Sequence, residues 1–250
     1  MAMKYFIITL FSIFTTLASA QTITVRYYEN HVVKNLAKLQ AQPRFVQDEM
    51  KPNQYSYTFI YSKNFSAYSY DVDIAPKRDS VYIEDLPFGS QNVYRIRKDT
   101  IDTYNKIYYK DYAAKRIRWK KYYFQAEDTF LEWDWKILDD TLTIAGYKCQ
   151  KATTSFSGSA TTAWFTTALP VNAGPEMFAG LPGLILKLQI GYVEYVAYDV
   201  KNIATNTTIT KPEFKGKVYT FKELEAEMDR QKQLILNKPV PPNARVFKPQ

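Results

Sequence analysis

With one cysteine, Cys149, a chain of 250 residues cannot form an internal disulfide and must be held together by a sizeable core. A single histidine, His31, beside that single cysteine is too few for a zinc site and leaves a reactive thiol without a base. The net charge of +8 is spread along the chain and points to anionic surfaces, lipid headgroups or acidic glycans, ahead of nucleic acid.

Residues 1–20 read as a secretory signal peptide. Lys4 is the basic start, 5–17 the apolar stretch, and Ala18-Ser19-Ala20 the cleavage site before Gln21. Losing Lys4 lowers the net charge from +8 to +7. Cys149 lies far from the cleavage site, so the expected product is periplasmic or secreted and not a lipoprotein. No later run is long and apolar enough to form a transmembrane segment.

Strand-like alternation begins at 23–28. Residues 31–42 carry Val32, Val33, Leu36 and Leu39 at helical spacing and stop before Pro43, which predicts a helix. In 55–61 four aromatics, Tyr55, Tyr57, Phe59 and Tyr61, share one face; in 68–74 the apolar face alternates with Ser69, Asp71 and Asp73. Similar patterns at 93–97 and 106–110 predict two further strands. The dense basic run Lys115-Arg116-Ile117-Arg118-Trp119-Lys120-Lys121 reads as a solvated turn leading into a strand at 122–124. Strands are then expected at 130–137, 141–153 and 163–166.

Gly174 and Pro175 suit an N-cap and a first helical position, and Glu176 a first turn, so 174–179 predicts a helix of about one turn stopped by Gly180. Pro182-Gly183 reads as a turn in which the glycine supplies a positive φ. From Leu184 the period becomes two: Leu184, Leu186, Leu188 and Ile190 face one way, Lys187 and Gln189 the other. Gly191 predicts a tight hairpin into a strand at 192–200. Thr220-Phe221-Lys222-Glu223 is a capping box opening an amphipathic helix to about Leu236, with Phe221, Leu224, Met228, Leu234 and Ile235 on its apolar stripe. The four prolines of 239–250 predict an extended tail. The expected organisation is one mainly-β domain over 21–238, a curved antiparallel sheet closed by the C-terminal helix.

No catalytic constellation is visible. Ser157-Gly158-Ser159 does not fit a nucleophile elbow, and there is no phosphate loop or dinucleotide fingerprint. No metal or cofactor is expected. The carboxylates Asp71 and Asp73, Glu84 and Asp85, and Asp139 and Asp140 leave a carboxylate hydrolase as an alternative. Gly174, Pro175, Gly180 and Gly183 are the candidate structural motif, and Trp164, Phe178, Leu181 and Pro182 the candidate ligand-binding residues.

The block Gly180-Leu181-Pro182-Gly183-Leu184-Ile185, with Gly146-Tyr147-Lys148-Cys149 upstream, resembles the signature of the GLPGLI family of exported proteins from Bacteroidetes-type bacteria. The family carries no assigned activity. The resemblance implies a periplasmic or outer-membrane-associated protein and, by analogy with lipoprotein carriers, an open half-barrel around helices. The function expected is non-enzymatic binding of a hydrophobic or amphiphilic ligand, such as a lipid, on the aromatic sheet. Docking on an outer-membrane protein partner is the alternative; nucleic acid is not expected as a partner.

Overall fold

The computed structural model describes residues 21–32, 40–41, 47, 55–71, 79–85, 91–97, 106–121 and 124–236, with backbone alone for 79–85, 91–97, 232, 235 and 236. The signal peptide, most of the helix predicted after His31, Asp73, the side chains of Glu84 and Asp85, and the proline tail lie outside the described residues.

Eleven strands form one antiparallel sheet. They are β1 (Thr22–His31), β2 (Tyr55–Ser62), β3 (Phe65–Tyr70), β6 (Ile107–Asp111), β7 (Arg116–Lys121), β8 (Phe124–Thr129), β9 (Lys136–Ile144), β10 (Tyr147–Phe156), β11 (Ser159–Thr166), β12 (Leu184–Ile190) and β13 (Val193–Ile203). Their order is β8-β7-β6-β3-β2-β1-β13-β12-β11-β10-β9, open at both ends. Between β3 and β6 the chain makes a separate ribbon, β4 (Asp79–Asp85) with β5 (Gln91–Arg97). A helix, α1 (Phe221–Leu236), follows the sheet. Among the described residues no helix is long and apolar enough to cross a membrane.

The turns explain why neighbours in sequence are neighbours in the sheet. Lys63-Asn64, Ala145-Gly146 and Ser157-Gly158 each place two consecutive residues at positive φ, the twist that two-residue hairpins need. Gly191 (φ 58°) occupies the first central position of the β12–β13 turn, where only glycine sits without strain. Register shifts at Arg26/Tyr27, Gln150/Ala152 and Trp164/Phe165 add bulges, which bend the strands and curve the sheet.

One face of the sheet carries the core. Ile23, Val25 and Tyr27 of β1, Tyr57 and Phe59 of β2, Tyr68 of β3, Tyr108 of β6 and Tyr195 of β13 are all buried. Their rings interlock: Tyr57 stacks on Tyr68 at 5.1 Å and Tyr195 meets Tyr57 edge-on at 6.2 Å, geometries that add to simple area burial. The alternation of tyrosine with serine and threonine in the sequence therefore marks an interior face.

Several predicted elements differ from those observed. The basic run 115–121 is strand β7: Ile117 and Trp119 point into the core while Arg116 and Arg118 pair with Glu127 on β8. Charge density masked the alternation. His31 ends β1 instead of opening a helix. Asp139 and Asp140, which fall between the strands expected at 130–137 and 141–153, lie within β9. The capping box is present, with the Glu223 amide donating to Thr220 Oγ1 and the Thr220 amide to Glu223 Oε2. The helix nevertheless does not fill the sheet. Leu224 is buried and Phe221 half-buried, but Met228 and Leu234 are about half exposed, so only the first turn docks, on β8.

Cys149 of β10 is 1 % exposed, and burial pushes its thiol up to about 11. A native protein treated with a thiol reagent at pH 8 should react slowly and become labelled at the rate of unfolding. Labelling as fast as a free peptide would put Cys149 on the wrong face of its strand.

Candidate functional site

The segment from Thr167 to Gly183 crosses the core face of the sheet. Leu169, Val171 and Ala173 point inward in alternation, and their backbone is tied to β12 by Leu184 N–H to Leu169 O (3.0 Å) and Ile185 N–H to Ala173 O (2.9 Å). The helix predicted at 174–179 is absent. Phe178 N–H closes a single turn on Pro175 O (3.1 Å), and Glu176 sits at φ 49°, outside helical geometry. The reason lies in where Glu176 goes.

Glu176 is 3 % exposed and faces Lys106 Nζ at 3.2 Å and Lys121 Nζ at 3.6 Å, while Tyr195 donates its hydroxyl to the same carboxylate. Lys106 in turn holds Glu29 Oε2 at 2.6 Å and Tyr195 Oη at 2.9 Å. Burial pushes the Glu176 carboxyl up, but Lys106, Lys121 and the hydrogen bonds outweigh it and hold the group at about 2. Burial pushes Lys106 down, and Glu176 with Glu29 reverses this, so the ammonium stays charged above the ordinary lysine value. Beside it Lys110 donates to the carbonyls of Phe178 (2.7 Å) and Gly174 (3.3 Å), and burial lowers it to about 7. Lys106, just ahead of β6, and Lys110 of β6 thus clamp both the side chain and the backbone of the turn. The left-handed Glu176 is the strain accepted for that contact.

The candidate motif residues each have a physical reason. Gly180 takes φ 95° and ends the turn, as expected. Gly174 packs so closely that an added Cβ would lie 2.8 Å from Ile185 Cδ1. Pro175 is buried. Gly183, expected at positive φ, is not there; an added Cβ would meet Thr166 O at 2.1 Å. Close approach of two backbones, not turn geometry, selects glycine at that position.

The four candidate ligand residues are not brought together. Phe178 and Leu181 are buried at 0 % and 1 %, whereas Pro182 is exposed. Trp164 points to the outer face with its ladder partners Lys151 and Lys187, the Lys151 ammonium 5.7 Å from its ring. Phe178 instead lies under Trp133, stacked at 4.3 Å, with Phe156 edge-on at 5.7 Å.

That aromatic group borders an open cleft of about 580 Å³ between 131–134 and 154–157. Its origin is local. Trp135 N–H bonds to Trp133 O (3.1 Å), a three-residue turn, and the Trp135 indole donates to Ala179 O (2.8 Å). The chain ahead of β9 is therefore drawn toward the Phe178 turn and away from β10, and the gap is the cleft. Sequence reading placed a strand across 130–137 and so missed it. The pair Trp133-Asp134-Trp135, two indoles one residue apart where a ladder was expected, was the available signal.

Comparison with known proteins gives fold and little more. No curated protein matches the chain. Two solved structures, of PNGF-II in its C2 and P21 space groups, align with 17% and 16% identity over 85% and 83% of this chain, with TM-scores of 0.50 and 0.52. The chain spans about a third of that protein's length, 33% in both, and the likeness is one of fold. Residues 156–187, from the end of β10 through the clamped turn into β12, match the family model described as "Protein of unknown function (Porph_ging)".

Proposed function

We propose that the protein is an exported, non-enzymatic binding protein of the cell envelope whose ligand site is the cleft between 131–134 and 154–157. One observation carries the reading. The core face of the sheet is filled by its own tyrosines and covered by the 167–183 segment, so the aromatic surface that could have received a lipid is occupied, while the cleft beside it stays open. A volume of about 580 Å³ lies within the range of ligand pockets, roughly 300–1,000 Å³. Glu176, a strongly perturbed carboxyl beside the cleft-bordering turn, is ion-paired in the core at 3 % exposure, which counts against its use by a hydrolase. The matched block contributes Phe156 and Ser157 to the cleft and Phe178 against the Phe156 ring, while the rest of the lining lies outside it.

A photo-crosslinking residue at Ser155, which is exposed on the cleft, and one at Tyr192, 63 % exposed on the β12–β13 turn, test this in the native host. Intact-mass and gel analysis should show a discrete adduct at 155 and none at 192. Adducts at both positions, or at neither, overturn the cleft as the site.

A further inference from the structure

Resting on that reading, we infer that the occupant is an extended peptide segment carrying a lysine or arginine, added as a short strand to the open edge of β10. The β9–β10 ladder ends at the Lys136↔Thr153 pair. On its other side β10 continues for three more pairs with β11, Thr154↔Thr161, Ser155↔Ala160 and Phe156↔Ser159. Among the described residues, the backbone of 154–156 therefore has a ladder partner on one side only, and the side without one forms a wall of the cleft. Backbone groups so placed pair with an incoming extended chain, which is how strand addition gains affinity. The opposite edge of the sheet is not available in this way. Tyr219 bridges to β8 through Tyr219 N–H to Gln125 O and Glu127 N–H to Tyr219 O, both 2.9 Å, and α1 docks beside it.

The side chains supply the charge preference. Glu132 and Asp134 are exposed on the cleft and no lysine, arginine or histidine lines it, in a chain whose net charge is +8. Trp133 and Phe156 stand with ring centroids 5.6 Å apart, a surface on which an aliphatic stem lies and over which a cation is attracted. An acidic, aromatic gap beside an unpaired strand edge selects a basic extended segment over a neutral glycan, which brings no cation to Glu132 and Asp134 and no regularly spaced amides to the strand edge.

The mature chain, immobilised, is panned against a library of capped eight-residue peptides at low and at 0.5 M salt, with neutral chito- and cello-oligosaccharides as a separate arm. Enrichment of lysine or arginine at one position is expected. Selected peptides should lose about tenfold in affinity to an E132Q/D134N variant, each exposed ion pair being worth up to roughly a factor of five. They should also lose affinity when alternate backbone amides are methylated, and in high salt. Melting curves of E132Q/D134N matching the parent keep the loss from being one of folding. Enrichment without a basic residue, indifference to amide methylation, or binding of the oligosaccharides in place of peptides each overturns the peptide assignment. A crosslink at 155 that persists in those cases leaves the cleft as a site; its absence fails both.

Discussion

Replacing Gly183 with alanine, the smallest change that adds a Cβ, is expected to cost at least about 3 kcal/mol, the upper end of what overpacking does. The new carbon would sit 2.1 Å from Thr166 O and 2.6 Å from Thr166 C, both backbone atoms that no rotamer change can move aside. Relief requires β11 and the start of β12 to part, which breaks the Thr166↔Leu184 pair at the point where the 167–183 segment leaves and rejoins the sheet. At this chain size the loss corresponds to a fall in Tm of roughly 6–12 °C. Gly180→Ala is the comparison. Its φ of 95° strains any side chain, about 1–3 kcal/mol, but the nearest contact is the edge of Trp135 at 3.3 Å, which can give. Thermal melts of the two variants should rank Gly183→Ala below Gly180→Ala. The reverse order would mean that conformation, not proximity, fixes the signature.

That contrast shows what sequence reading reaches. Period-two patterning located β12 to the residue, because Leu184, Leu186 and Leu188 are buried while Lys187 is not, and a local pattern is what a strand leaves in a sequence. The hairpin at Gly191 and the capping box at Thr220 were legible for the same reason. Gly183 was identified as necessary but for the wrong cause, since a glycine's letter is the same whether it serves a positive φ or a close contact. Glu176 was read as a dipole-compensating residue in a first helical turn; its actual partners, Lys106, Lys121 and Tyr195, are distant in sequence or on other strands. Lys110, alternating with Tyr108 and buried at 2 %, looked like an ordinary strand residue until the turn above it was placed. The cleft was least legible, because it arises where a ladder stops, and in a strand-like run the two indoles of Trp133 and Trp135 were the one mark of that end.

Lys106→Met is expected to destabilise the protein at pH 7 by about 3–5 kcal/mol, as removal of one partner from a buried ion pair does. Without the ammonium, Glu29 and Glu176 face each other across the gap that it bridged at 2.6 Å and 3.2 Å, with Lys121, 3.6 Å from Glu176, as partial compensation. The pH dependence carries the sign. In the parent, Glu176 is held at about 2, below the ordinary 4.5. Its ionised state then contributes stability that is fully present above about pH 4.5 and is lost as pH falls toward 2, on the order of 3 kcal/mol in all. In Lys106→Met the surviving carboxylates repel, so one of them binds a proton more readily folded than unfolded, and acid relieves the variant while it weakens the parent. Urea titrations at pH 7 and pH 4 should therefore find the two proteins closer in stability at the lower pH. Glu176→Gln should cost less than Lys106→Met, because Glu29 still satisfies Lys106 and the amide oxygen still accepts from Tyr195. A difference between parent and Lys106→Met that stays constant or widens toward pH 4 would show that Lys106 contributes packing alone, and that the turn bearing the signature is held by its apolar contacts without the buried charges.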